Sequence, residues 1–246
     1  MKINVHAGHN RVVQGANKYL NEVTEDRIVK NKVISLLRQE GHIVYDCTDE
    51  LGKTQNNNLK NIVTLCNAHK VDLDVSLHLN AGGGMGVEVY CYDTGTKSYA
   101  TRIVNNISKS LDIRNRGVKY DKGLYVLKNT KAPALLIECC FVDSKTDKEH
   151  WNADKCAKAI VEGILNKTIM EDKDKPSESK TSFLVKVTDG TLNIREAADP
   201  NSKVKGCIKD KGAYTIVETK KSKDGGNWGR LKSGQGWINL YYTKRI

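Results

Sequence analysis

The chain of 246 residues has no long hydrophobic run, and none of its apolar stretches approaches the roughly 18 residues that span a bilayer. Its first residues, Met1-Lys2-Ile3-Asn4, turn polar too soon for the apolar segment of a secretory signal. The 3 prolines are too few for a collagen-like or low-complexity chain. We therefore expect a globular protein made in the cytoplasm without a signal peptide and without membrane insertion.

The usual cysteine motifs are also missing. The 7 cysteines are odd in number, include the adjacent pair Cys139 and Cys140, and nowhere show a CxxC spacing. This pattern excludes a disulfide framework and gives no indication of a zinc ribbon or a redox pair. We expect reduced thiols that are mostly buried.

Negative charge is in short supply, since 29 Asp and Glu residues face 40 Lys and Arg residues, for a net charge of +11. Residues 181–246 alone contain 13 basic and 6 acidic side chains. This excess favours a polyanionic partner, and nucleic acid, anionic lipid and bacterial cell wall all qualify. Because no recognition helix, zinc finger or interleaved aromatic motif is present, we expect no nucleic acid partner.

The composition divides the chain into two domains. Residues 169–182 cluster charged and serine residues around a proline, which is typical of a linker between residues 1–168 and 183–246. After the linker, the pattern predicts short strands only. Before it, strands alternate with helices, which indicates an α/β sheet flanked by helices. The predicted strands lie near 2–6, 42–46, 73–79, 86–92, 123–128 and 133–139, and the predicted helices near 22–40, 56–69, 97–111 and 152–166.

Two histidines are predicted at the carboxyl ends of strands, where ligand sites form in open α/β sheets. His9 follows the first strand directly after Gly8, and His6 is the nearer alternative in the same segment. His78 and Asn80 share one face of a later strand and precede a run of glycines. The glycines leave open space above His78, which favours a functional role.

Two carboxylates are predicted in apolar surroundings. Glu22 lies in the middle of the buried stripe of the first helix, and Glu25 and Asp26 flank that stripe. Glu138 ends the strongly apolar run 133–137. Such a carboxylate is costly to bury unless it is paired, protonated or close to a metal ion.

If the strands are parallel, these two histidines and two carboxylates meet at one edge of the sheet. Two imidazoles and one carboxylate suit Zn²⁺ and leave a fourth position open for water, as in a hydrolytic site. The second carboxylate then supplies the base. The sequence therefore predicts a zinc hydrolase site.

Several motifs of residues 1–168 together resemble a known family, namely Ala7-Gly8-His9, Glu22, Ser76-Leu77-His78-Leu79-Asn80 and Leu136-Ile137-Glu138. They resemble the zinc-dependent N-acetylmuramoyl-L-alanine amidases of the amidase-3 type. The resemblance implies a twisted, mixed, mostly parallel sheet with helices on both sides. It also implies that His9, Glu22 and His78 bind zinc, that Glu138 is catalytic, and that the substrate is peptidoglycan, cleaved between N-acetylmuramic acid and L-alanine. We also expect Asn80 to contact the substrate.

Residues 183–246 resemble bacterial SH3-like domains that bind cell wall. The carriers of this resemblance are Leu192-Asn193-Ile194-Arg195, Asn227-Trp228-Gly229-Arg230 and Gly234-Gln235-Gly236-Trp237. The resemblance implies a small all-β barrel. We expect Asn193, Arg195, Trp228 and Tyr241 to contact the wall, and Trp237 to lie in the core.

Two other functions fit parts of the pattern. A zinc peptidase that cuts within the stem peptide uses ligands of the same type, and a non-catalytic wall-binding protein would account for the basic tail. An amidase with a wall-binding module resembles a phage endolysin, which is made in the host cytoplasm and acts on the cell wall after release. A host autolysin is the alternative origin.

Overall fold

We describe the fold from a computed structural model, which describes residues 1–169, 182–188, 191–222 and 226–246. The chain divides into two compact units, Met1–Met170 and Glu171–Ile246. The predicted linker, 169–182, lies outside the described residues except at its two ends. Each unit is described by itself below.

The first unit alternates strands and helices as the hydrophobic pattern predicts. Its strands are β1 (Lys2–Ala7), β2 (Ile43–Asp46), β3 (Leu73–Asn80), β4 (Val87–Cys91), β5 (Asn115–Tyr120) and β6 (Ala134–Phe141). Its helices are α1 (Glu22–Gln39), α2 (Gln55–Asn67), α3 (Lys97–Leu111), α4 (Tyr125–Asn129), α5 (Lys145–His150) and α6 (Ala153–Leu165). Within the described residues, no helix combines the length and the apolar character needed to cross a membrane.

The six strands form one mixed sheet in the order β2-β1-β3-β6-β4-β5. The ladders β1/β2, β1/β3, β3/β6 and β4/β5 are parallel, and only the ladder β4/β6 is antiparallel. The predicted mixed, mostly parallel α/β class is therefore confirmed. The strand β6 is the last of the six in the chain, yet it lies near the centre of the sheet.

Helices cover both faces of this sheet. On one face, Val33 of α1, Ile103 of α3 and Ile160 of α6 form a single core with Val75 and Leu77 of β3. A smaller cluster on the opposite face combines side chains of α2, α4 and β6. Because side chains alternate along a strand, the intervening polar residues of β3 point to this second face.

The predicted strand at 123–128 is wrong. Most of that segment is the short helix α4, whose Val126 and Leu127 are buried against the second face. The strand of this region is β5, which precedes it. Because β5 is an edge strand whose side chains are exposed or half-buried, it lacks the apolar alternation that would have predicted it.

The cysteines are free thiols, as predicted. Six of the seven are buried, and Cys207 is exposed. Burial raises the pKa of Cys140 well above its usual value. The buried cysteines therefore pack as small apolar side chains.

The second unit is an antiparallel sheet of seven strands, which agrees with the predicted all-β class. The strands are β7 (Phe183–Val187), β8 (Leu192–Arg195), β9 (Val204–Ile208), β10 (Ala213–Lys221), β11 (Asn227–Leu231), β12 (Trp237–Asn239) and β13 (Thr243–Arg245). Their order is β13-β7-β10-β11-β12-β8-β9. Its core contains Val185, Ile194, Ile216 and Ile238.

The structure contradicts the expected wall contact of Trp228, because this side chain is buried. The side chain is in the interior, with 3% of the residue exposed, and its indole N–H donates to Ser222 Oγ at 3.0 Å. A buried ring offers no face to a ligand. Trp237 is half-buried.

Candidate metal centre and active site

Three side chains from separate elements meet at the edge of the first sheet where β1 and β3 end. Glu22 Oε1 lies 3.4 Å from His9 Nε2 and 3.1 Å from His78 Nδ1. One donor atom from each of the three residues lies within 4.8 Å of the other two. The two imidazole rings are nearly perpendicular, with centroids 5.3 Å apart. Such a cluster of three donors is able to hold one metal ion.

The loop after β1 presents His9 in a conformation that is unusual for a side chain larger than glycine. His9 has a φ of 52°, in the left-handed region. Its carbonyl oxygen accepts hydrogen bonds from Arg27 Nη2 at 3.0 Å and Asn58 Nδ2 at 3.4 Å, while Arg27 Nη1 also donates to Gly8 O at 3.1 Å. These donors hold the strained turn and aim the imidazole at the cluster.

Glu22 is fixed in place as the first residue of α1. Its Oε2 accepts a hydrogen bond from Ala16 N at 2.8 Å, and its Oε1 accepts from Leu79 N at 3.2 Å. Burial by itself would raise the pKa of Glu22, but the bonds to His78 and His9 outweigh it and hold the pKa well below its usual value. Glu22 is therefore a buried carboxylate anion that already faces two imidazoles.

Two glycines leave the space that these side chains occupy. A Cβ at Gly8 would lie 2.0 Å from His78 Cε1, and a Cβ at Gly15 would lie 2.2 Å from Glu22 Oε2. Any larger residue would displace a donor of the cluster. Gly8 therefore leaves room for the imidazole of His78, and the next residue, His9, supplies the second imidazole of the cluster.

We expect Gly8→Ala to disturb this cluster without disturbing the core. The added methyl group must push the His78 ring aside. Zinc affinity and the rate of hydrolysis should therefore both fall by about 10-fold to 100-fold. Zinc content and release of wall fragments measure the effect. The control is Gly206→Ala, where the nearest atom lies 3.9 Å from the new Cβ. Equal zinc content in the two variants would contradict the expected role of Gly8.

Glu138 lies beside this cluster on the neighbouring strand. It is the register partner of His78 across β3 and β6. Its Oε2 is buried and has no hydrogen-bond partner among the described residues. Burial raises the pKa of Glu138 to about 7; the positive charge of His78 lowers it, and the negative charges of Glu22 and Glu88 raise it further. A carboxyl group with this pKa is able to accept and return a proton near neutrality.

Comparison with known families assigns the first unit to a family. The family model of the N-acetylmuramoyl-L-alanine amidases called Amidase_3 matches residues 3–167, more than half of the chain. The chain belongs to the Amidase_3 family. All four residues of the predicted site lie within the matched range.

The chain is also similar to individual proteins, and the length of the similar region differs from one to the next. The chain is 33% identical over 201 residues to the endolysin of Bacillus phage SPP1, covering 72% of this chain and 71% of the relative. It is 34% identical over 225 residues to the uncharacterized protein CPE1502 of Clostridium perfringens, covering 86% of this chain. The chain spans only 66% of the length of CPE1502. The solved catalytic domain of CD27L, an endolysin targeting Clostridia Difficile, aligns with a TM-score of 0.64 at 35% identity, covering 69% of this chain and 99% of that domain.

The two alternative residues of the sequence, His6 and Glu25, lie outside the cluster. His6 is fully buried on β1; burial and then the charge of His78 lower its pKa to about 3, so its imidazole is neutral. Glu25 Oε2 accepts a hydrogen bond from Trp151 Nε1 at 2.8 Å. The structure therefore brings together His9 and Glu22 rather than their neighbours in sequence.

Asn80 lies on β3 two residues after His78 of the cluster, but both of its polar ends have protein partners. Its Nδ2 donates to Glu88 Oε1 at 2.8 Å, and its Oδ1 accepts from Ala81 N at 2.8 Å. Its substrate contact stays a prediction. Glu88 itself was missed in the sequence, although a carboxylate inside the apolar strand Val87–Cys91 is the same signal that singled out Glu138.

A second buried carboxyl group, that of Asp26, lies on α1 one turn beyond Glu22. Its Oδ1 accepts from Arg27 Nη1 at 3.0 Å, and its Oδ2 has no partner among the described residues. Burial raises the pKa of Asp26 to about 7, because it outweighs the attraction of Arg27. Arg27 is shared with Glu50, its Nε donating to Glu50 Oε1 at 2.8 Å.

We therefore expect Asp26 to lower stability as the pH rises. The unfolded carboxyl group loses its proton near pH 4 and the folded one near pH 7, so between these values the free energy of unfolding falls by up to about 1.4 kcal/mol per pH unit. The variant Asp26→Asn should lack this contribution, so its stability advantage over the wild type should grow from pH 5 to pH 8. Urea unfolding of the metal-free proteins measures it. The exposed Asp154→Asn is the control, and a difference that does not change with pH would contradict the assignment.

Proposed function

We propose that the chain hydrolyses the amide bond between the lactyl group of N-acetylmuramic acid and the L-alanine of the peptidoglycan stem peptide, and so lyses bacterial cell wall. The family supports this proposal, because its description names that linkage. The observation that carries it is the convergence of both imidazoles on one oxygen of Glu22, with the unpaired Glu138 carboxyl alongside. Similarity to endolysins supports action on the wall after release from a host cytoplasm.

Zinc is the proposed cofactor, with His9, Glu22 and His78 as its ligands. Two imidazole nitrogens and one carboxylate oxygen are donors that Zn²⁺ prefers, and three such donors leave one position open. The glycines that make room for these donors support the fit. When bound, the ion supplies Lewis-acid polarisation of the scissile carbonyl and makes the attacking water more acidic.

Glu138 is the proposed catalytic carboxylate. It takes the proton of the attacking water and delivers it to the nitrogen of the departing L-alanine. Without that delivery, the amine is a poor leaving group. The unpaired, buried Oε2 supports this role, because no donor among the described residues competes for its lone pairs.

Product analysis tests the reaction against the two alternatives. Purified walls digested with the protein should yield stem peptides with a new N-terminal L-alanine and sugars with a free lactyl carboxylate. A zinc peptidase would expose other amines, and a non-catalytic wall-binding protein would release nothing. A chelator should abolish the products and added Zn²⁺ should restore them. Mass spectrometry of the digest identifies the bond.

The second unit is the proposed wall-binding module, of the SH3-like kind. A cleft of about 740 Å³ lies between the ends of β10, β11 and β12, and the 84% exposed Tyr241 lines it together with Lys220 and Asn239. An exposed aromatic ring next to a cation suits a sugar or peptide carrying negative charge. Asn193 is also exposed, whereas Arg195 donates to Ser202 O at 2.6 Å.

We expect Tyr241→Ala to weaken attachment to walls more than it weakens hydrolysis. Loss of the exposed ring should reduce wall binding about 5-fold to 10-fold, while cleavage of a small soluble muramyl peptide stays unchanged. Co-sedimentation with purified walls measures attachment. The matched control is Val204→Ala, an exposed apolar side chain of the same unit outside the cleft. Equal wall binding by both variants would remove Tyr241 from the wall-binding surface.

A further inference from the structure

We infer that Arg116 binds a free carboxylate on the second residue of the stem peptide, and so makes the enzyme selective for peptides that carry this charge. The inference rests on the proposed amidase function, because it places the scissile amide beside Glu138. It adds a peptide-binding group on β5, a strand that carries none of the four predicted site residues.

Four neighbouring strands present polar side chains in one row across the sheet. Glu138 on β6 is the register partner of His78 on β3 and of Glu88 on β4. Arg116 continues the row on the edge strand β5, where its Nε donates to Glu88 Oε2 at 2.7 Å. The row therefore leads from the metal centre to a guanidinium group at the edge of the sheet.

The guanidinium group of Arg116 is held in a fixed orientation. Glu88, which is 3% exposed, also accepts hydrogen bonds from Asn80 Nδ2 and from the hydroxyl group of Tyr90 at 3.0 Å. The centre of the guanidinium lies 4.9 Å from the ring of Phe141, so the ring supports one side of it. A side chain anchored at its Nε and against a ring has little freedom left to lose when it binds a ligand.

The remaining donors of Arg116 are available to a ligand. Its four Nη hydrogens have no hydrogen-bond partner among the described residues, and the side chain is 30% exposed. A planar guanidinium with free donors matches a carboxylate in a bidentate geometry. The nearby side chains of Glu22, Glu88 and Glu138 are acidic, so an anionic substrate group needs such a cation to approach this edge.

The spacing of the strands indicates which substrate residue Arg116 reaches. Adjacent strands lie about 4.8 Å apart, so Arg116, which leans from β5 toward Glu88 on β4, brings its guanidinium to roughly 5 Å from the strand of Glu138. An extended peptide advances about 3.4 Å per residue. A stem peptide that runs from the scissile amide along this row toward β5 therefore brings its second residue within reach of Arg116, and that residue is a D-glutamyl residue whose α-carboxyl group is either free or amidated.

A pair of substrates tests this inference on the unaltered protein. The probes are synthetic muramyl tripeptides that differ only in whether the α-carboxyl group of the D-glutamyl residue is free or a carboxamide. We expect the zinc-loaded enzyme to cleave both at similar kcat, with a KM on the order of 10-fold to 100-fold lower for the free carboxylate. If the enzyme cleaves neither peptide at the lactyl amide, the proposed function fails; if it cleaves both with equal KM, only the role of Arg116 fails.

Variants assign the selectivity to this side chain. Arg116→Gln should raise KM for the carboxylate peptide relative to KM for the carboxamide peptide, so that the enzyme no longer distinguishes the two peptides. Arg116→Lys, which keeps the charge but not the planar fork, should lose part of the selectivity. The control is Arg114→Gln, because Arg114 is an exposed arginine just before β5 whose side chain has no hydrogen-bond or ion-pair partner among the described residues. It should behave as the wild type.

Loss of Arg116 leaves Glu88 as a buried charge without its cation, which lowers stability. The double variant Arg116→Gln/Glu88→Gln removes both charges, and an amide oxygen at position 88 still accepts from Asn80 and Tyr90. Thermal unfolding shows which variants are folded. A folded variant that lacks Arg116 and still prefers the carboxylate peptide overturns the inference.

Discussion

Replacing Glu138 with glutamine should leave zinc bound and remove nearly all turnover. The amide has almost the shape of the carboxyl group, but it does not accept the proton of the attacking water. Loss of a general acid and base of this kind lowers kcat by about 10²-fold to 10⁴-fold. The rate of release of N-terminal L-alanine from purified walls, together with the zinc content of the variant, measures the effect.

Stability gives an independent readout for the same variant. Because burial raises the pKa of Glu138 to about 7, the folded carboxyl group resists ionisation above the pH at which the unfolded group has lost its proton. The metal-free Glu138→Gln protein should therefore gain stability relative to the wild type as the pH rises from 5 to 8. The matched control is the exposed Glu149→Gln on α5. Lysis at the normal rate by Glu138→Gln would show that another group carries the proton.

Replacing His78 with alanine should abolish both zinc binding and hydrolysis. The change removes one of three donors and leaves Glu22 Oε1 with a single imidazole partner, His9. We expect zinc affinity to fall by more than about 100-fold, and activity to fall with it. Zinc titration followed by the wall assay separates the two losses.

The control for this variant is His150→Ala. The His150 ring is partly exposed, and its Nδ1 lies 3.1 Å from Leu111 O, on a different part of the first unit. This variant should bind zinc and cleave walls as the wild type does. Full zinc occupancy and normal lysis in His78→Ala would mean that the metal centre lies elsewhere.

The sequence predicts most elements of the first unit because their apolar side chains follow the period of a strand or a helix. The helix α3 is predicted at the residues where it is found, 97–111, and its Ile103 and Ile107 are buried. The edge strand β5 is not predicted in this way, because all of its residues are exposed or half-buried. A hydrophobic pattern reports burial, so it is least informative where a strand faces solvent.

The sequence also predicts that the site residues lie close together, for a related reason. His9 follows the apolar strand β1, and His78 and Glu138 lie toward the carboxyl ends of β3 and β6. The carboxyl ends of parallel strands share one edge of the sheet. The pairing of Glu88 with Arg116 was not predictable in this way. It depends on the register of β4 against the edge strand β5, which is shifted between Val87 and Val89, and no local pattern specifies that register.

The second unit shows the same limit at single residues. The short strand β11 contains both exposed and buried side chains without strict alternation. The face on which Trp228 lies was therefore not determined by its neighbours in sequence, and its burial was missed. Tyr241, in the short 3-10 helix Leu240–Tyr242, is exposed as expected.

The central position of β6 has a consequence for how the molecule is made. All three proposed metal ligands lie within the first 78 residues of the chain, whereas Glu138 lies on β6, which is the last strand of the first sheet to be synthesised and pairs between β3 and β4. Until that insertion, β3 and β4 each present an open edge to water, which invites pairing with other chains. If Glu138 is the catalytic carboxylate, as proposed, the nascent chain completes its active site only in the step that closes this sheet, and a chain that ends before β6 is inactive.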